Sequence, residues 1–481
     1  MVCTRIACTC ALVVVLAKGT LAQQALSYTP PPGGAAQGAL PVGVSELDLL
    51  RARLDAQERE LQQLRQMIQQ GRMHPTSASG TAADEPKVKR TDTHAEKFSV
   101  KVGGRMQYDT TYGTDSNLAG TTIGRDFVNG QEFRRARFIL SGKGYGIFSY
   151  KAEIDFADPS RLLFTDFYMQ METPLGHLRL GHFKHPMSIE HMQSSKHFSL
   201  IERSAASDTI PIRALGLLLG DTWADERGTW AVATFTDPLL QTPGARDGDV
   251  DNTDAQNQAF AARITYLLWY DEPSEGRYLM HIGAGFRFVD ANGRSVRFAA
   301  RPEVHDTYRF LGVTTGPTSS YQQYVLEWGG NFGSLSFQSD WYLTQIQNAQ
   351  DSFLYGGYIQ VSYFLTGENR VYDRRQATFV QVKPYENFWW VDSSPDCRFG
   401  LGAWELAARW SYLDMNDVGL TPVGGTGGTA GVMHNYTVGL VWWWTPNMRL
   451  MFNWVHSDLR DSALGTTASA DMFVTRLQLN W

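Results

Sequence analysis

Hydrophobic and polar residues alternate along much of this chain, and the alternation runs to its last residue. Phe473, Leu477, Leu479 and Trp481 share one parity, while Arg476, Gln478 and Asn480 hold the other. A strand presents successive side chains to opposite faces, so such a segment has one apolar side and one wet side. The same pattern sets Val100, Val102, Met106 and Tyr108 against Lys101, Arg105, Gln107 and Asp109. It recurs where Tyr150, Ala152, Ile154 and Phe156 interleave with Lys151, Glu153 and Asp155. Polar faces this rich in charge predict a barrel with lipid outside and water inside. From Phe98 onward, about 16 strand-like segments are separated by Gly, Pro, Asn and Asp turns, and barrels of this kind use even strand numbers. The predicted fold is all-β, a transmembrane antiparallel β-barrel of the outer membrane over 98–481.

The connections divide into two kinds. TPLG (173–176) and TPN (445–447) fit short periplasmic turns, whereas 113–130, the acidic 246–258, 302–320 and 414–430 fit extracellular loops. Segment 185–212 does not alternate and is rich in His and Ser, so it is a candidate to fold into the lumen.

The region before the barrel has its own organisation. Residues 1–22 read as a secretory signal, with Arg5 ahead of an apolar run too short to span a bilayer. A Pro/Gly-rich linker (23–44) precedes residues 45–70, where Leu47, Leu50, Leu54, Gln57, Leu61, Leu64 and Ile68 alternate in steps of three and four. That spacing is the seam of a left-handed coiled coil, opened by Ser45 and stopped by Gly71. The expectation is a periplasmic helix that self-associates, most simply in a homotrimer, or touches periplasmic or cell-wall components. Residues 71–97 read as a flexible linker to the barrel.

Composition narrows the chemistry. The chain has 43 Lys and Arg against 49 Asp and Glu, a net charge of −6, so any preference for anions must come from where charges sit. Nothing in the charge pattern points to nucleic acid. Three of the four cysteines fall within 1–22, leaving Cys397 without an internal disulfide partner or a cysteine-based zinc site. His182, His185, His191 and His197 are too widely spaced for one helix face, so they read as polar lining that gains charge below about pH 6.5, with no metal or cofactor expected. His456, Ser457 and Asp458 are consecutive on a strand and point to opposite faces, so they form no catalytic relay. No enzymatic activity is expected.

On parity, Lys101, Arg105, Arg135, Arg137, Lys151, Arg263, Arg287, Arg297, Arg409 and Arg476 face the lumen, while Arg134 falls on the lipid parity at a strand end. Glu153, Asp155, Asp166, Glu172, Glu327 and Glu405 are available to neutralise them, and Glu202 and Arg203 are expected to pair locally.

Five blocks carry a resemblance: RRARFILSGKGYGIFSYKAEIDFA (134–157), LRLGHFKHPMSIEHMQSSKHFSLIERS (178–204), SYFLTGENRVYD (362–373), GAWELAARWSYLDMND (402–417) and NMRLMFNW (447–454). In content and order they resemble the phosphate-selective porin O and P family. The resemblance implies a 16-stranded, commonly trimeric barrel in outer-membrane lipid that passes phosphate or other small anions along basic residues. It puts weight on Arg105, on Arg134 and Arg135 of RRAR, on Lys151, and on Ser194, Ser195 and Lys196 of SSK; Arg137 and Lys184 complete the expected anion path. The alternatives are a general, weakly selective porin whose cations are neutralised, and a tether acting through its coiled coil.

Overall fold

The computed structural model describes residues 98–160, 162–236, 257–390 and 399–481. The signal, linkers and coiled coil read within 1–97, most of the acidic link 246–258, and Cys397 lie outside the described residues. Sixteen antiparallel strands close into one barrel. They are β1 (Lys101–Ser116), β2 (Gly130–Gly144), β3 (Phe148–Asp155), β4 (Leu163–Thr173), β5 (Gly176–Lys184), β6 (Arg213–Trp223), β7 (Gly228–Thr236) and β8 (Gln258–Tyr270). Then follow β9 (Tyr278–Arg294), β10 (Thr318–Phe332), β11 (Leu335–Gln347), β12 (Ser352–Phe364), β13 (Ala403–Asp414), β14 (Gly431–Thr445), β15 (Met448–Asp461) and β16 (Thr466–Asn480). Most exceed the roughly 9–11 residues that cross a bilayer at a tilt.

Each strand pairs with the next, and β1 closes on β16 from Arg105↔Asn480 to Ser116↔Ser469. Closure leaves no edge whose backbone groups would lie unpaired in lipid. Alternation is obeyed on both faces. Val102, Phe138, Leu180, Ile264 and Phe473 are exposed on the outside, while Arg105, Gln107, Asp109, Glu153, Arg476 and Gln478 are buried on the inside. At the seam the Trp481 backbone exchanges hydrogen bonds with Gly104, at 3.0 and 3.2 Å. The indole lies so close that a Cβ on Gly104 would come within 2.0 Å of the ring. Trp481→Ser is therefore expected to lower the folded, heat-modifiable fraction in outer membranes, and unchanged yields would refute a role for this ring in closure.

Short turns gather at one end, as at Tyr145–Gly146, whose positive φ values suit a tight hairpin. Such turns face the periplasm in these barrels. Two connections depart from the expected exterior course. Segment 185–212 runs through the lumen, and wall side chains donate to its carbonyls: Arg449 to Phe198 (2.6 Å), Arg476 to Ile201 (2.6 Å), Arg409 to Glu202 (2.9 Å) and Gln323 to Thr209 (3.0 Å). Those bonds let a non-alternating backbone be buried, because its acceptors are satisfied by the wall. Residues 295–317, part of a link read as extracellular, turn inward too: Glu303 accepts from Arg409, Ser411 and Thr437.

From the short-turn end, residues 366–381 also enter the barrel, which the alternation does not foretell. Tyr372 Oη and His281 Nδ1 lie 2.7 Å apart, Arg263 donates to the Ala377 carbonyl (2.9 Å), and Thr378 donates to the Ile189 carbonyl (3.2 Å). Thr378 thus joins this segment to the luminal loop.

Candidate functional site

Between the wall of β1–β8, the luminal loop and residues 375–380 lies a cavity of about 920 Å³. Its lining holds ten Lys and Arg residues against five Asp and Glu. A chain that is negative overall thus encloses a positive chamber.

Most of these cations are held by carboxylates on neighbouring strands. Arg137 sits between Glu153 and Asp155, at 2.7 Å from each. Lys151 contacts Glu153 (2.9 Å) and Asp166, and Arg213 also reaches Asp166 (2.6 Å). Arg263 pairs with Glu327 at 3.0 Å. Two predicted residues differ. Arg105, only 4% exposed, donates to the Ser195 hydroxyl and to Ser194 (3.5 Å). Lys184 donates to the carbonyls of Met192 (3.0 Å) and Gln193 (2.8 Å). Neither forms an ion pair among the described residues. Burial, then Arg105 and Lys151, push the nearby Lys196 ammonium down to about 8, so it is still mostly charged at neutral pH.

The structure therefore brings Arg105, Arg137, Lys151, Lys184, Ser194 and Ser195 together on one chamber, with Lys196 beside it. Arg134 and Arg135 lie elsewhere. The register slips between Gln107 and Tyr108, so that Gln107 faces Arg135 while Tyr108 faces Phe133. This bulge turns Arg134 inward, correcting the lipid-side assignment. Both arginines reach Glu202, Arg134 at 2.9 Å and Arg135 at 3.6 Å, and Arg476 contacts the same carboxylate at 2.6 Å. Although burial opposes it, Arg134, Arg135 and Arg476 hold the Glu202 carboxyl well below the usual range. Glu202 thus pairs across the lumen, while Arg203 donates to the carbonyls of Glu190 and Gln193, so the expected local pair is replaced.

Other expectations change as well. Arg297 belongs to a small separate sheet with Leu311–Thr315 and Leu420–Pro422, and Lys101 is exposed at the start of β1. Burial, followed by Arg287, pushes the His185 imidazole well below its usual value. Burial and then Arg449 take His197 down to about 2. These two histidines stay neutral at physiological pH and add no charge to the loop on mild acidification. Among the described residues no group of His, Cys, Asp and Glu is arranged to hold a metal.

A closed antiparallel barrel with inward-folded segments and a charged luminal chamber defines an outer-membrane porin. The chain belongs to the phosphate-selective porin O and P family, which it matches over residues 100–481. Porin O of Pseudomonas aeruginosa is 24% identical over 434 residues, covering 80% of this chain and 89% of that protein. An uncharacterized protein of Caulobacter vibrioides is 26% identical over 344 residues, 68% of this chain; the match spans just under two thirds of that relative's length, 63%. Among solved structures, an anion-selective porin from Comamonas acidovorans is 12% identical, with a TM-score of 0.47 over 80% of this chain and 100% of the other. The trimer form of OmpT from Vibrio cholerae is 8% identical, with a TM-score of 0.44 and the same coverage.

Proposed function

We propose that this porin passes small anions by passive diffusion and favours phosphate-like oxyanions. The observation that carries this reading is the chamber in which cations outnumber carboxylates ten to five, with Arg105 and Lys184 outside any ion pair. A guanidinium fork beside two serine hydroxyls offers a tetrahedral oxyanion replacement donors for the water it loses, and Lys184 adds a point charge. Charges confined by low-dielectric walls act on a passing ion far more strongly than the same charges in open water. Hydrogen bonds shared with the protein keep each site moderate, which suits entry and release in series.

The ion pairs of Arg137, Lys151, Arg213 and Arg263 support a second reading, a general porin with weak selectivity. Reversal potentials of single channels in a salt gradient, repeated with phosphate as blocker, separate the two. An anion-directed potential with phosphate block at millimolar concentration or below is expected; a potential near zero without block would favour the general porin. We further assign 1–22 to export and 45–70 to trimer contacts or to a cell-wall component, with the barrel as anchor.

A further inference from the structure

The Glu202 carboxylate sits in a cradle built by two barrel strands. Arg134 meets it with a two-point fork, Nε to Oε1 at 2.9 Å and Nη2 to Oε2 at 3.2 Å. Arg476, from the far side of the barrel seam, adds a bond of 2.6 Å to Oε1, and Arg135 Nη1 lies 3.6 Å from the same oxygen. Asp109 binds Arg476 through both its oxygens, so three cations here face two carboxylates. A contrasting cluster lies at Arg409, where one guanidinium meets Glu303 and Glu190. Removal of one carboxylate would leave that cluster balanced, but would leave the Glu202 cradle with two excess positive charges. Planar forks converging on two oxygens are the arrangement that recognises carboxylate and phosphate alike. The cradle is not sealed, since Arg134 and Glu202 keep 8% and 11% of their side chains exposed.

We infer that Arg134, Arg135 and Arg476 form an oxyanion site, separate from the 920 Å³ chamber, which the loop residue Glu202 occupies as a tethered competitor. The inference rests on the anion-path reading and adds a specificity-determining residue to it. While Glu202 is seated, the three arginines anchor the luminal loop and a passing oxyanion finds its strongest forks already filled. Without the carboxylate, the same forks become the deepest anion trap in the lumen, and transport is exchanged for retention. Glu202 therefore keeps the pore a conduit.

The test is block of chloride current by inorganic phosphate through the parent, Glu202→Gln and Glu202→Asp in planar bilayers. Glu202→Gln should tighten the block about tenfold or more, the size of one charge-assisted hydrogen bond. Glu202→Asp reaches less far and should tighten it by a smaller factor of about three, on the same scale. Block unchanged in a folded Glu202→Gln pore overturns the inference. If that variant does not assemble, Glu202→Asp decides alone, and block equal to the parent's overturns it. A parent that is neither anion-preferring nor blocked by phosphate would sink the anion-path reading itself, and this inference with it. A blocked parent with unchanged variants sinks only the role of Glu202.

Discussion

Arg105→Glu is expected to reverse the charge preference of the pore and abolish phosphate block. Arg105 is the chamber guanidinium bonded to Ser194 and Ser195 with no ion pair among the described residues, so its field on a passing ion is not cancelled at the site. A unit charge at about 4 Å in a medium of effective dielectric ~20 is worth roughly 4 kcal/mol, and the substitution exchanges attraction for repulsion of that order. The fold should tolerate it. Arg105 faces Arg137 directly across the β1–β2 ladder, so a glutamate there meets a cation instead of a like charge. Reversal potentials in a salt gradient check it, and a variant that remains anion-preferring and phosphate-blocked would place the selective step elsewhere. Arg135→Glu reads differently, because Arg135 sits in the Glu202 cradle.

Arg476→Met should be the most destabilising of single changes at the barrel seam. Arg476 and Asp109 face each other across the β16–β1 closure, with bonds of 2.6 and 2.5 Å, and both are buried. Breaking a buried pair by removing one partner costs about 3–5 kcal/mol, because a charge is left in low dielectric without compensation. Here Glu202 loses a partner as well. The midpoint of urea unfolding, followed by gel heat-modifiability, should fall clearly, and the double change Asp109→Leu with Arg476→Met should recover much of the loss. Arg375→Ala, which breaks a largely exposed pair with Glu226, should leave the midpoint in place. A single variant as stable as the parent would show that the seam does not depend on this pair.

What the chain discloses before folding follows from the range of each interaction. Strands, their faces and the closing partners were legible because alternation is a local period of two. The chamber was legible in part, since Arg105, Arg137 and Lys151 lie on regular strand and Ser194–Ser195 stand out in the one long non-alternating link. Arg134 was misread because one inserted residue reverses every parity beyond it, and no nearby Gly or Pro marks the bulge. Glu202 was misread because its partners lie 68 and 274 residues away. Residues 366–381 were missed because their aromatic anchors, Tyr372 and Phe379, look like ordinary strand residues until His281 and Arg370 are brought beside them. The histidines were assigned a charge because sequence carries no measure of burial.

The luminal loop has a consequence for how such a barrel comes to exist. Its carbonyls and Glu202 are gripped by β10, β13, β15 and β16, strands made long after it, and the last of them also closes the wall. A ring cannot be filled through its own seam once that seam has zipped. The loop, made early, therefore serves as a mandrel around which the later strands are laid, and the terminal strand acts as a latch that finds both the mandrel and β1 at the same moment. Chain order, early contents and late closure, is thereby part of the architecture.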